Sequence, residues 1–347
     1  MTSMKVTLFA LSALLLINFP VYALRGGGSD SAYITQAGNN GTVTTSQTAN
    51  GNPNTITVTQ YAGSSNETAE VTQAGISNLN ATIDQKGTAD SATAIQKGEN
   101  DFVWLDQSGE GGNSAKVTQG TASETVSASI IQVGSSNMGE IIQHYMGDSA
   151  TITQRGNGNG ATVNQGDLSL FELAKITQNG SGNTGEITQN GTNDSATIFQ
   201  AVGSNWAKIT QDNGGFNDAN ITQYGGGNNA SIGQSGSHNT ATIYQPGNNN
   251  AAVSIGQTGD WNVADIKQIG DNNPSVTIVQ TGSNNASTIG QTGNNNSVSI
   301  GQTGNNNTAT IDQPGNNNTA TIDQSGNSHS FQLTQNGNGN SVMLTQH

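Results

Sequence analysis

A glutamine recurs at a nearly fixed spacing along almost all of this 347-residue chain. Twenty-eight such glutamines, from Gln36 to Gln346, are separated by 27 intervals, of which eighteen are eleven residues, five are twelve and four are thirteen. From Gln280 onward every interval is eleven residues. Self-similarity at a short fixed period indicates a repeat architecture, in which each unit stacks on its neighbours without one large core.

The segment Asn318–Gln324, NTATIDQ, shows how one repeat is expected to fold. Successive side chains of a β-strand point to opposite faces. Asn318, Ala320, Ile322 and Gln324 therefore share one face, and the apolar pair predicts that this face is buried. The segment after each glutamine is rich in glycine and asparagine, which is typical of turns that need positive φ. Each repeat is thus predicted to be one strand and one tight turn.

Two successive repeats are needed to enclose an interior, with their strands facing each other and the next coil stacked about 4.8 Å away. This arrangement predicts an all-β solenoid of about 14 two-strand coils with amyloid-like cross-β stacking. In-register stacking places each glutamine on the glutamine two repeats earlier. That explains a polar residue on the buried face, because a buried amide is costly unless it is hydrogen-bonded. The competing geometry, a flat antiparallel meander, would leave the amides and apolar side chains partly exposed to water.

The composition fits β-assembly better than a globular core or a disordered chain. Hydrophobic residues make up 31% of the sequence and charged residues 9%, with five prolines and many asparagines and glutamines. Such polar sequence with regular β-branched residues is prone to β-assembly. The net charge of −14 and the scattered basic residues disfavour nucleic-acid binding. Without cysteine, neither a disulfide framework nor a thiolate metal site can form.

The N-terminus is typical of an export signal. Lys5 precedes an apolar stretch, Val6 to Phe19, and the smaller residues Val21 and Ala23 stand at the cleavage positions. This pattern predicts a secretory signal peptide cut after Ala23, with an apolar core too short to span a bilayer. We therefore expect a secreted protein that passes through the periplasm without stable membrane insertion. The predicted organisation is a signal peptide (1–23), a short glycine-rich leader (24–30) and a repeat solenoid (31–347).

The two ends of the predicted solenoid are expected to lack caps. Soluble solenoids cover their terminal edges with polar capping elements. Here only His347 follows Gln346, and only about a dozen residues precede Gln36 after cleavage. Open edges favour pairing with another copy, and head-to-tail pairing that does not close gives filaments.

The unit Asn-x-Ala-x-Ile-x-Gln-x-Gly, with Ser-x5-Gln and Gln-x-Gly-x-x-Asn spacings, resembles the curlin repeat of curli fibre subunits from Gram-negative bacteria. The chain looks like a curli major fibre subunit with an expanded number of repeats. This resemblance implies secretion of an unfolded chain through an outer-membrane pore, a separate nucleator subunit, and assembly into extracellular surface amyloid that supports biofilm, adhesion and cell aggregation. It also maps the positions important for nucleation to Gln36, Gln47, Gln335, Asn340 and Gln346.

Four repeats replace the inward asparagine by aspartate. One interpretation is that these aspartates are gatekeepers, like-charge defects that slow stacking. The other is that these positions, at the corners where each turn meets its strand, are hydrated, and that aspartate simply replaces asparagine in the turn. The candidate gatekeepers are Asp90, Asp101, Asp148 and Asp194.

Two other functions are alternatives to a major fibre subunit. A minor, nucleating curli subunit would share the same repeats. A soluble monomeric solenoid could bind ice or surface glycans through outward Thr-x-Thr pairs such as Thr308 and Thr310. Against the second, Glu140, Lys208 and Trp206 interrupt the equivalent outer surfaces. Outward aromatic residues such as Trp104 have no assigned role, since isolated exposed aromatics are ordinary.

No sequence pattern predicts an enzyme or a bound cofactor. The four histidines, His144, His238, His329 and His347, fall at different places in the repeat and at no spacing suited to a metal site or a catalytic triad. His329 occupies the inward asparagine position, where we interpret it as a tolerated substitution. We therefore expect a structural protein.

Overall fold

The computed structural model describes residues 5–8, 21–22, 30–48, 53–166 and 169–347, and β-strand is the only regular structure among them. The strands are β1 (Lys5–Leu8), β2 (Val21–Tyr22), β3 (Ser31–Gln36), β4 (Thr42–Gln47), β5 (Thr55–Gln60), β6 (Thr68–Gln73), β7 (Asn80–Gln85), β8 (Ser91–Gln96), β9 (Phe102–Gly111), β10 (Ser114–Gln119), β11 (Ser127–Ser135), β12 (Met138–Gln143), β13 (Ser149–Asn157), β14 (Gly160–Gln165), β15 (Leu173–Ser181), β16 (Thr184–Thr192), β17 (Ser195–Gly203), β18 (Trp206–Gly215), β19 (Asp218–Gln223), β20 (Asn229–Ser235), β21 (Thr240–Gln245), β22 (Val253–Thr258), β23 (Val263–Gln268), β24 (Val276–Thr281), β25 (Ala286–Gln291), β26 (Ser297–Thr303), β27 (Thr308–Gln313), β28 (Thr319–Ser325), β29 (Ser330–Thr334) and β30 (Ser341–Gln346).

The chain folds into two compact units, Met1–Ala174 and Lys175–His347, and the boundary falls within β15. The predicted solenoid, 31–347, extends over both. Of the predicted signal peptide and leader, the structure describes β1, β2 and Asp30, and the predicted cleavage after Ala23 lies outside the described residues. The strand β1 pairs with β3, and β2 pairs with β4.

Each unit is a β-solenoid of two-strand coils, as predicted. In the first unit the odd-numbered strands up to β13 form one parallel sheet and the even-numbered strands up to β14 form the other. In the second unit β17 to β29 and β16 to β30 are arranged in the same way. Strands pair in register, so that Gln85 lies beside Gln107 and Gln302 beside Gln324. The pairings within both units are parallel, which excludes the antiparallel meander for the described residues.

The buried face is the predicted one. In β28 the side chains of Ala320, Ile322 and Gln324 are at most 1% exposed, whereas Thr319 is exposed. The first unit shows the same alternation, with Ile83 of β7 fully buried. Period-two alternation therefore sends small and branched apolar side chains from both sheets into one thin interior, where their burial stabilises the coil.

The turns contain asparagines and glycines with positive φ, as predicted, and also glycines that are required by close contacts. A left-handed residue lies just before the inward one, and it is more often asparagine than any other residue, as at Asn249 (φ 53°) and Asn317 (φ 57°). Asparagine tolerates this region better than most residues. Gly247 has no positive φ, but a Cβ there would collide with the carbonyl oxygen of Gly270 in the next coil. Only some turns, such as that at Gly259 (φ 107°), need glycine for its dihedral angle.

Candidate functional site

The repeat glutamines lie inside the coils and hydrogen-bond from coil to coil. Nε2 of Gln85 donates to Oε1 of Gln107 at 3.0 Å, and Nε2 of Gln302 donates to Oε1 of Gln324 at 2.8 Å. The other amide hydrogen of Gln302 donates to the Ala286 carbonyl of the facing sheet at 3.1 Å. Because a carbonyl only accepts, this contact fixes the orientation of the amide. In these bonds, within both units, Nε2 of each glutamine donates to the glutamine of the coil that follows it in the sequence.

The inward residue just before each strand, here called the corner residue, forms a second ladder that points the other way. Nδ2 of Asn262 donates to Oδ1 of Asn239 in the preceding coil at 3.1 Å, and the backbone N–H of Asn262 donates to the same oxygen at 3.0 Å. The second Nδ2 hydrogen reaches the Gly282 carbonyl at 2.9 Å. A buried hydrogen bond contributes about 1 kcal/mol, and an unpaired buried amide costs more than that. The ladders therefore stabilise each coil only when the next coil is in register.

Gln36 and Gln47, two of the predicted nucleation residues, begin the glutamine ladders of the first unit. Their Nε2 atoms donate to Gln60 at 2.8 Å and to Gln73 at 2.9 Å. Since each ladder runs in one direction, the Oε1 atoms of Gln36 and Gln47 are the acceptors left for a preceding coil. Their role in nucleation stays a prediction.

Gln335, Asn340 and Gln346, the other predicted nucleation residues, lie in the last coil. Oε1 of Gln335 accepts from Gln313 at 2.6 Å, and Oε1 of Gln346 accepts from Gln324 at 2.8 Å. Among the described strands, β29 and β30 each have a neighbour on one side only.

The last coil is also less buried than the coils below it. Phe331 and Leu333 of β29 are half-buried, while Ala309 and Ile311, their register partners in β27, are each 1% exposed. Asn340 donates from Nδ2 to Asn318 at 3.1 Å but is itself exposed. This coil therefore presents an open strand edge, a partly uncovered apolar face and glutamine amide donors.

A family model for the curlin associated repeat matches three segments of the chain, residues 217–247, 275–304 and 304–337. Residues 217–337 therefore contain curlin associated repeats. All three matched segments lie in the second unit, although the first unit has the same kind of strands and the same glutamine ladders. A search of curated proteins finds no match to the chain.

The four candidate gatekeepers all precede the matched curlin repeats. They take corner positions, and each is 1% exposed. A carboxylate buried to this extent has little contact with water and must find a hydrogen-bond donor or a proton, and the gatekeeper role stays a prediction. The four residues are Asp90, Asp101, Asp148 and Asp194.

Three further acids occupy corner positions that the sequence analysis missed. Asp30, Glu67 and Glu172 are 7%, 1% and 1% exposed. In an eleven-residue interval the corner lies five residues after the glutamine, but the thirteen-residue intervals move it to the seventh, as from Gln60 to Glu67 and from Gln165 to Glu172. Counting back from the following strand, rather than forward from the glutamine, would have found them.

Asp90 and Asp194 each begin a run of corner asparagines. Oδ1 of Asp90 accepts from the backbone N–H and Nδ2 of Asn113 at 2.9 and 3.1 Å, and Asp194 accepts from Asn217 at 2.8 and 3.1 Å. Gly87 makes room for the second oxygen of Asp90, since a Cβ there would collide with it. A carboxylate can start such a run because it accepts from the coil above.

Asp101 and Asp148 are held by serine hydroxyls. Ser123 Oγ lies 2.7 Å from Asp101 Oδ2 and 2.6 Å from the Gly120 carbonyl, and Ser169 lies 2.6 Å from Asp148 Oδ2. A hydroxyl has one hydrogen, and a carbonyl only accepts. Both contacts of Ser123 are therefore hydrogen bonds at once only when the Asp101 carboxyl group is protonated. Each serine follows a glutamine by four residues in a thirteen-residue interval, a signal that the sequence analysis did not use.

Burial raises the pKa of five corner acids. It raises the pKa of Asp101 and of Asp194 to about 6, against the hydrogen bonds that stabilise the charged form. Burial, with a smaller contribution from the Asp90 carboxylate, raises the pKa of Glu67 to about 7. The pKa values of Asp90 and Asp148 are raised by the same cause. Near neutral pH these corners therefore carry either a proton or an unfavourable buried charge.

The outer faces carry isolated pairs and small clusters. Lys116 bonds Glu140 at 2.9 Å on the first unit, and Lys208 bonds Glu186 at 2.9 Å on the second, so charged pairs interrupt the threonine array on each. Trp104 points outward as predicted. His238 stacks between Phe216 and Trp261, with ring centroids 5.1 and 4.0 Å away.

Two kinds of site are not found in the described part of the chain. It holds no group of three or more His, Cys, Asp or Glu side chains that could bind a metal ion. It also contains no helix long and apolar enough to cross a membrane.

Proposed function

We propose that this protein is the structural subunit of an extracellular, amyloid-like fibre in which copies stack head to tail. The supporting observation is that the ladders of each unit repeat with one register and one direction. The last coil therefore offers Nε2 donors from Gln335 and Gln346, and the first coil offers Oε1 acceptors on Gln36 and Gln47. Such contacts do not close into a ring, so repeated addition gives a filament.

The proposed setting is the surface of a Gram-negative bacterium. The chain is exported through the periplasm and leaves through an outer-membrane secretion pore, and a nucleator subunit starts its assembly. The fibre serves biofilm cohesion, adhesion and cell aggregation. The curlin repeats and the predicted signal sequence support this setting, and the lack of cysteine keeps the chain free of disulfides during transit.

We propose that the buried corner acids delay folding and fibre assembly. Stacking a coil over Asp90, Asp101, Asp148 or Asp194 removes a carboxylate from water, which is unfavourable until the group is protonated or paired. These residues would then delay folding of the first unit and of the start of the second at neutral pH. Replacing all four by asparagine should shorten the lag before fibres appear, while replacing four exposed asparagines by aspartate should not.

The first experiment dilutes the chain from Leu24 onward out of denaturant at several concentrations. Dye-positive fibres whose lag shortens with concentration, and a cross-β reflection near ~4.8 Å, are the expected results. A stable soluble monomer with β-type circular dichroism would overturn the proposal. Ice-growth and glycan-binding assays would then test the alternative of a monomeric solenoid.

A further inference from the structure

We propose that the junction between two copies is specified by Asp30 of the incoming copy, which accepts a hydrogen bond from the imidazolium of His329 in the last coil. This inference rests on the proposed head-to-tail stacking. It assigns the register of that contact and the side chains that determine it.

The register follows from the internal stacking of each unit. Within each unit the repeat strands, from β3 onward, lie over one another with glutamine on glutamine and corner residue on corner residue. Continuing this rule past β29 and β30 places β3 of the next copy on β29 and β4 on β30. Gln36 then lies on Gln335, Gln47 on Gln346, and Asp30 on His329.

The direction of the corner ladder restricts what can lie beneath an acid. A corner asparagine donates from Nδ2 to the residue of the preceding coil, as Asn340 does to Asn318. An acid at the same position has an oxygen where that Nδ2 would be, so an asparagine Oδ1 beneath it would repel it. In the first unit no corner acid lies on an asparagine. Glu67, Asp90, Asp101, Asp148 and Glu172 lie on Gly41, Glu67, Leu79, Val126 and Asp148 respectively.

His329 is a corner residue that can donate a hydrogen bond to the coil above it. It is the one histidine among the corner residues, and its backbone N–H donates to Oδ1 of Asn307 at 3.0 Å, as a corner asparagine would. Its Nε2 lies 3.2 Å from the Ser325 carbonyl. Because that carbonyl only accepts, Nε2 carries a hydrogen and Nδ1 is left for the next coil. Protonated at Nδ1, the ring donates to a carboxylate and carries the opposite charge.

Asp30 begins its ladder as the other corner acids do. Its Oδ1 accepts from the backbone N–H of Asn54 at 3.0 Å and from Nδ2 at 3.1 Å. This leaves Oδ2 for a coil beneath it. In the present structure β1 pairs with β3, so the proposed junction forms after the predicted signal peptide is removed.

Among the described residues, other charged side chains near the junction face away from this pair. Asp312 of β27 and Asp323 of β28 point to the outer faces, and His347 follows β30. The full sequence has a net charge of −14, and the copies remain strongly negative without residues 1–23 and repel one another, so a buried contact of opposite charge favours this register over others.

The first test measures elongation of preformed fibres by fresh chains beginning at Leu24. We expect His329→Asn in both seed and monomer to slow elongation about tenfold, because the Oδ1 of the introduced asparagine then faces the Asp30 carboxylate. Asp30→Asn alone should slow it less. The double variant should recover nearly the wild-type rate, because two asparagines at this junction can pair as Asn262 pairs with Asn239. His238→Asn, which changes a histidine away from the corner, is the matched control and should have no effect.

A second test needs no variant that could misfold. Fibres grown from an equal mixture of chains carrying isotope-labelled histidine and chains carrying isotope-labelled aspartate should show an intermolecular contact between His329 Nδ1 and the Asp30 carboxyl carbon by solid-state NMR. Asp30→Asn should remove that signal. Two results would overturn this junction while leaving fibre formation intact. One is that wild-type fibres show no contact between His329 and Asp30 by NMR. The other is that the double variant elongates as slowly as His329→Asn. Failure of the wild-type chain to form fibres would overturn the proposed function together with the junction.

Discussion

The two units have the same strands and glutamine ladders but different corners. In the second unit the corner asparagines form continuous hydrogen-bonded runs, as from Asn217 through Asn239 and Asn262 to Asn285. In the first unit acids and apolar residues interrupt them, as Leu79 and Asp101 do. The comparison indicates that the glutamine ladder and apolar core suffice to form the coil, and that the corner controls how readily one coil accepts the next.

The largest expected effect comes from placing an acid inside an asparagine run of the second unit. Asn262→Asp removes an Nδ2 donor and puts a buried carboxylate on Oδ1 of Asn239. We expect a loss of about 3 kcal/mol in the free energy of unfolding at neutral pH. Denaturant unfolding of the monomer at low concentration measures it. Asn306→Asp, at an exposed turn position in the same part of the unit, should change stability by less than about 0.5 kcal/mol.

The next largest effect is the pH dependence of the first unit. The pKa of Asp101 is about 6 in the folded chain, above its ordinary value, so the folded state binds the proton more tightly than the unfolded state. Stability should therefore rise as pH falls from above 7 through 6, and level off below about 4, near the ordinary pKa. For Asp101 the difference is of the order of 3 kcal/mol by linkage.

Hydrogen exchange resolved along the chain would measure this pH effect. Amides around β9 and β11 should become better protected at pH 5 than at pH 7.5, while amides of β25 to β28 should change little. Asp101→Asn should reduce the dependence near β9 and β11. Equal protection changes in both units would contradict the assignment to the corner acids.

A smaller effect tests the serine contact. Ser123→Ala removes the hydroxyl that links Asp101 to the Gly120 carbonyl. Because a buried carboxyl group loses its partner, we expect a loss of about 1 to 2 kcal/mol. Ser127→Ala, at an exposed strand position nearby, is the control and should be close to neutral. A neutral Ser123→Ala would show that water or a backbone group replaces the hydroxyl.

The smallest effect should be the same in both units. Lys116→Ala breaks the pair with Glu140, and Lys208→Ala breaks the pair with Glu186. Both pairs are substantially solvent-exposed, so each substitution should cost no more than about 0.5 kcal/mol, and less at high salt. Thermal unfolding with and without added salt measures the difference. A clear difference between the two variants would show that the units differ at their surfaces as well as at their corners.

Much of the candidate site could be predicted from the sequence. The fixed glutamine spacing predicted the stacking of glutamine on glutamine, and the alternation in Asn318–Gln324 identified the buried face. Glu67 was missed because a thirteen-residue interval moves the corner relative to the glutamine. The direction of the ladders could not be predicted, because an amide has a donor and an acceptor at either end and only the facing carbonyl selects between them.

The sequence by itself determined the repeating strand, its inward face and the stacking of each repeat position on the same position of the neighbouring coil. The reason is that side-chain alternation and repeat length are local properties of the chain. The tertiary structure decided which groups meet between coils. Asp101 and Ser123 are 22 residues apart, and Gly247 is required by the carbonyl of Gly270. Such contacts depend on the position of the neighbouring coil along the stacking axis and on the direction of its strands. Both are set only when the coils stack.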